Sequence, residues 1–170
     1  MIVLDPAALQ ALVAQRQGHF PREAVGLLLG STDRTVIEAI LPLENCAGDC
    51  QSFSIAPAEL WRGICAAQAS SRQVIGLYHT HSWHDSRPSS QDLDHFRDPD
   101  WFYLIAGCGL EPSCLDLRCY RFRNAGLEEV LLRNAGRAFP ETTGHTRVRR
   151  PSRRPPIPPV VLPQTDRKPV

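Results

Sequence analysis

Residues Gly76 to Asp92 read Gly-Leu-Tyr-His-Thr-His-Ser-Trp-His-Asp-Ser-Arg-Pro-Ser-Ser-Gln-Asp. The histidines close an apolar run, Val74 to Tyr78, that has the character of a buried strand. Side chains two apart on a strand share a face, so His79 and His81 can aim at one ion. Pro88, Ser89 and Asp92 follow. Ser89 reads as a helix N-cap, with Asp92 at the third helical position. A strand end bearing two imidazoles and a helix start bearing a carboxylate make a two-His, one-Asp zinc site that leaves one position open for water.

Working outward, the spacing is His-x-His, seven residues, Ser, two residues, Asp. With it goes Glu23 in Pro21-Arg22-Glu23-Ala24-Val25-Gly26-Leu27-Leu28-Leu29-Gly30, just ahead of a second apolar strand. On these residues the chain resembles the JAMM (MPN-plus) metallopeptidase family over roughly Met1 to Val130. It is closest to the short bacterial members that process sulfur-carrier or ubiquitin-like proteins. The resemblance implies zinc held by His79, His81 and Asp92, with Glu23 shuttling a proton between water and the leaving amine. Ser89 would donate a hydrogen bond to the tetrahedral oxyanion. It also implies a cytidine-deaminase-like fold: a mixed sheet flanked by helices. The implied reaction is hydrolysis of the amide bond after the C-terminal Gly-Gly of a ubiquitin-like or sulfur-carrier protein. The alternatives are an inactive MPN scaffold, and a zinc peptidase acting on an unrelated cell-wall or phage-tail peptide. A deaminase on such a fold would need a Pro-Cys-x-x-Cys half-site, which the sequence lacks. One departure stands out. Where the family usually has proline after the second histidine, this chain has Ser82-Trp83-His84-Asp85. His84 or Asp85 could compete for the metal, and Trp83 could shape a substrate lip.

The other elements follow from periodicity and punctuation. Ile2 to Leu4 reads as a strand and Asp5-Pro6 as the start of a helix reaching Gln17. Ala24–Leu29 and Thr35–Leu41 read as a hairpin, and Ser52–Ile55 as a short strand. A helix opens at Pro57, with Leu60, Trp61, Ile64 and Ala67 inward. Ser89 to Phe96 is a third helix, and strands follow at Trp101–Ala106, Leu115–Phe122 and Leu127–Leu132. Interleaved strands and helices place the chain in the α/β class, with a mixed and largely antiparallel sheet.

Residues 1–134 are therefore expected to form one domain, and 135–170 a Pro/Arg-rich disordered tail. From Pro151 to Val170 seven residues are proline, too little apolar surface to fold. Charge divides the same way. From Arg147 onward there are seven basic residues and one acid, leaving 12 basic and 17 acidic residues of the chain's 19 and 18. A tail of net charge +6 could touch nucleic acid or an acidic partner. The six cysteines do not form a secreted framework, and Cys46-x3-Cys50 lacks a matching second pair. With no signal-like start and no run near the ~20 apolar residues that span a bilayer, a cytoplasmic location is expected.

Overall fold

The computed structural model describes residues 1–96, 98–108, 115–123 and 126–135. The expected tail lies outside the described residues, apart from its first position. The chain opens with β1 (Ile2–Leu4) and α1 (Pro6–His19). Asp5 caps that helix by accepting from the Ala7 N–H at 2.8 Å, and Pro6 fills its first turn, where no N–H is needed. Then come β2 (Val25–Gly30), β3 (Val36–Ile37), β4 (Ala39–Leu43), α2 (Pro57–Ala69) and β5 (Gln73–Thr80). The short α3 (Asp92–His95) precedes β6 (Phe102–Cys108), β7 (Leu115–Arg123), β8 (Gly126–Val130) and β9 (Leu132–Asn134).

Among the described residues the strands form two sheets. The larger runs β4-β2-β5-β6-β7-β8, antiparallel throughout except for the central β5–β6 pair. The smaller is β3-β1-β9, all parallel. Strand β2 is buried along its whole length and divides its side chains between two faces. Leu28 joins Leu12 of α1 and Ile75 in one core, while Leu27 and Leu29 join Ala67 of α2 in another. A third core, with Phe53, Phe96, Tyr103 and Tyr120, lies beside the histidine-bearing end of β5. Helix α2 lies close to the sheet because Gly63 has no side chain. A Cβ there would stand 2.9 Å from Leu43 and 3.0 Å from Leu27.

Several expectations need correction. Helices do pack on a mixed sheet, but the cytidine-deaminase-like arrangement is not what forms. Strands β1 and β9, at the two ends of the described residues, stand outside the main sheet, where β1 pairs with β3 on one side and β9 on the other. The stretch Thr35–Leu41 is not one returning strand. It breaks at Glu38, so that Val36–Ile37 pairs with β1 and Ala39–Leu43 with β2. Residues Ser52–Ile55 form no strand. Trp61 is 66% exposed, because it lies about 100° around the helix from Leu60 and so off the inward face. The third helix is a single turn from Asp92, with Gln91 at its N-cap.

Candidate metal centre

Strand β5 carries His79 to the end of the sheet, and His81 follows one residue beyond the strand. Both are buried, as is Asp92. One nitrogen from each imidazole and one carboxylate oxygen lie within 4.8 Å of one another. The two Nε2 atoms face each other at 3.0 Å. Asp92 Oδ1 stands 3.2 Å from His79 Nε2, and Oδ2 stands 3.4 Å from His81 Nε2. Two nitrogen lone pairs and a carboxylate converging on one point are the donor set of a three-ligand zinc site. His79 Nδ1 is buried without a hydrogen-bond partner, and Nε2 is the ring nitrogen turned to the cluster. The Phe53 ring covers His79 at 4.7 Å, with Phe96 at 5.7 Å, and keeps water from that side.

The electrostatics fit the same purpose. Burial alone would raise the Asp92 carboxyl, but hydrogen bonds with His79 and His81 outweigh it and hold the group well below the usual carboxylate range. Burial lowers His79 below its ordinary value, keeping it the neutral imidazole that a metal needs. Burial pulls His81 down too, but its bonds to Asp92 and to the Asp85 carbonyl leave it raised.

Ser89 and Asp92 exchange hydrogen bonds as a capping box does: the Ser89 N–H donates to Asp92 Oδ2 at 2.6 Å, and the Asp92 N–H to Ser89 Oγ at 3.2 Å. The expected pairing is present even though the helical turn begins only at Asp92. It fixes the carboxylate toward the imidazoles, and the Ser89 oxygen, used as an acceptor, keeps its proton to donate elsewhere.

Glu23 precedes β2. The register pairs Val25 with His79. Ala24 and Thr80 exchange two further bonds, one to the Thr80 backbone N–H and one to its hydroxyl, each 2.9 Å. One step further, Glu23 falls opposite His81. It is 5% exposed, and burial pushes its carboxyl up to about 7, with His81 opposing and Asp92 adding to the rise. Neither His84 nor the Asp85 side chain joins the metal cluster. Both residues are exposed, and the Asp85 carboxylate stands 3.5 Å from Arg87.

Sequence reading missed three contributors. Asn45 donates to the Glu23 carbonyl at 2.9 Å and to Ser52 at 3.1 Å, while its oxygen accepts from Ala47 and Ser54. An amide satisfied on all these sides pins the loop under Glu23, but an Asn in a polar loop gives no such signal. Phe53 sits in that loop and caps His79. The Asp85 carbonyl accepts from His81 Nδ1 at 2.5 Å, and no side-chain pattern encodes a backbone contact.

This arrangement defines a class: a mixed-sheet domain with a two-His, one-Asp zinc centre at the end of a central strand. Residues 5–122 match the family described as prokaryotic homologs of the JAB domain, and the chain belongs to it. Its His79–His81–Asp92 cluster is the zinc site of a JAMM-type metallopeptidase. Among curated proteins it is 29% identical to desampylase of Haloferax volcanii over 89 residues, 52% of this chain and 64% of that one. The alignment thus spans less than two thirds of that relative. It is 24% identical to CysO-cysteine peptidase of Mycobacterium tuberculosis over 129 residues, 76% of this chain and 88% of that one. A solution structure of a Desulfitobacterium hafniense protein overlays with a TM-score of 0.70 at 26% identity, covering 79% of this chain and 92% of that one. A crystal structure of a JAB1/MPN domain protein from Archaeoglobus fulgidus overlays with a TM-score of 0.51 at 18% identity, covering 79% and 97%. The fold is therefore the JAB1/MPN fold, which replaces the cytidine-deaminase-like expectation.

Proposed function

We propose that this protein hydrolyses the amide bond after the C-terminal Gly-Gly of a ubiquitin-like or sulfur-carrier protein. The observation that carries the reading is the convergence of His79, His81 and Asp92 beside a buried Glu23. The substrate class is supported by the two relatives, a desampylase and a CysO-cysteine peptidase. When bound at the three ligands, zinc supplies a nucleophile from water at neutral pH and polarises the scissile carbonyl. Glu23, whose carboxyl burial pushes up to about 7, would take a proton from the attacking water and return it to the leaving amine. The Ser89 hydroxyl would donate a hydrogen bond to the oxyanion. No covalent acyl-enzyme forms, so none of the cysteines is needed as a nucleophile.

A half-exposed aromatic pair close in sequence to Glu23 and His81 is our candidate for the lip of the site. Phe20 and Trp83 pack edge to face at 4.7 Å, one just before Glu23 and one just after His81. Glycines in an extended tail would pass such a lip and reach the metal without side-chain conflict. Among the described residues no helix is long and apolar enough to cross a membrane. A cytoplasmic location is part of the proposal, supported by the free, exposed thiols of Cys46, Cys50 and Cys65.

The test is mass spectrometry of a small ubiquitin-like protein extended beyond its Gly-Gly, incubated with the zinc-loaded protein. Cleavage is expected after the second glycine and should vanish with a chelator. Equal cleavage of an Ala-Ala substrate would replace the reading with a general peptide hydrolase.

A further inference from the structure

The loop from Ser82 to Ser86, where this chain departs from the usual proline, is held to β6 and β7 by its backbone. The Cys108 N–H donates to the His84 carbonyl at 2.8 Å, and Tyr120 Oη donates to the Ser86 carbonyl at 3.1 Å. Gly107 lets the loop lie on β6: a Cβ there would stand 2.4 Å from the Asp85 carbonyl carbon and 2.5 Å from the Ser86 nitrogen. Within this clamp one peptide unit is bonded at both ends. Its oxygen, from Asp85, accepts from His81 Nδ1 at 2.5 Å. Its N–H, from Ser86, donates to Asp116 Oδ2 on β7 at 3.0 Å. The Ser86 hydroxyl, on a fully buried residue, donates to the same carboxylate oxygen at 2.6 Å. Arg118 stands 3.7 Å from that carboxylate and 3.8 Å from Glu129, a positive charge set beside Asp116.

We propose that Asp116 is a positioning residue for the zinc ligand His81, acting through the Asp85–Ser86 peptide. A peptide whose N–H is held by a carboxylate becomes a stronger acceptor at its oxygen, because successive hydrogen bonds polarise one another. That oxygen fixes the proton of His81 on Nδ1, leaves the Nε2 lone pair for the metal, and makes the ring a more basic ligand. Carboxylate partners of metal-bound histidines act in this way directly. Here the carboxylate is one peptide removed, so neither Asp116 nor Ser86 would be picked out by ligand spacing. The proposal rests on His81 as a ligand and is independent of the substrate.

The experiment compares wild type, Asp116→Asn and Asp116→Ala by zinc affinity, in competition with a chromophoric chelator, and by nitrogen NMR of the His81 ring in metal-free protein at pH 8. In Asp116→Ala the zinc Kd should rise about tenfold or more, the usual cost of losing such a partner, and His81 should become a mixture of tautomers. In Asp116→Asn the amide oxygen still accepts from Ser86, so the Nδ1–H tautomer should persist with a Kd only several-fold weaker, since the charge-assisted bond is lost. If Asp116→Ala does not fold, the Asn variant alone decides: zinc affinity equal to wild type overturns the proposal. So does an Ala variant that folds, binds zinc within twofold of wild type and keeps the single tautomer. Because neither readout uses a substrate, either result leaves the peptidase reading to its own test.

Discussion

Glu23 holds a carboxyl that burial pushes up to about 7, near the pH where a group can both take and return a proton. Glu23→Gln keeps the shape and removes that ability. It should retain zinc and lose on the order of 10²–10⁴ in kcat. Loss of less than half of kcat would reassign the base. The same carboxyl leaves a second signature. Its folded value lies above the unfolded 4.5, so its contribution to stability is fully present below 4.5 and is lost as pH rises through about 7. In chelator, Glu23→Gln should therefore melt a few degrees above wild type at pH 8 and level with it at pH 4.5. Asp92 has the opposite sign. Its depressed carboxyl stabilises the fold above 3.8, and that stability is lost as pH falls below the usual carboxylate range. Thermal melts across pH separate the two.

At the scale of elements, the loop after β5 is shaped by what lies beneath it. Gly107→Ala would place a methyl carbon within 2.6 Å of backbone atoms of His84, Asp85 and Ser86. Backbone cannot yield as a side-chain tip does, so the loop must lift. The expected result is loss of zinc affinity through His81 with the remaining strands intact; unchanged affinity, measured by chelator competition, would show that the loop tolerates displacement. What was legible in the sequence follows the same division. The two histidines were readable because strand periodicity fixes their shared face, and the Ser89–Asp92 pair because a capping box has a fixed spacing. Strand β2 was readable as an unbroken apolar run. The split of Thr35–Leu41 at Glu38 was not, since both halves suit a strand and only the partner of each differs. Trp61 was misplaced because an apolar side chain on a helix flank is still apolar. Asn45 reaches the backbone carbonyl of Glu23 on a distant segment, and the Asp85 carbonyl meets His81 through main-chain oxygen, so no side-chain pattern announces either.

At the scale of the molecule, the small sheet ties the two ends of the described chain together. Strand β1 is its centre, with Ile2 and Leu4 fully buried. Strand β9 pairs Leu132 with Ile2 and Asn134 with Leu4, and Leu132 packs on the same core as α1. Two bonds bracket the pair, the Ile2 N–H to the Leu131 carbonyl at 2.9 Å and the Ala135 N–H to the Leu4 carbonyl at 3.1 Å. Residues beyond Ala135 are proposed to add nothing to the fold, given their proline and arginine content. A chain ending at Ala135 should then melt within a few degrees of the full length. A chain ending at Leu131 removes β9, leaves one side of β1 unpaired and uncovers part of the α1 core. Each lost hydrogen bond is worth about 1 kcal/mol net and the half-buried leucine roughly as much again, so the loss is a few kcal/mol, or roughly 10 °C in Tm for a domain of this size. Calorimetry of the two truncations gives the answer. Equal Tm values for both would mean that β9 contributes nothing, and a low, broad transition for the Ala135 chain would mean that the tail packs on the domain.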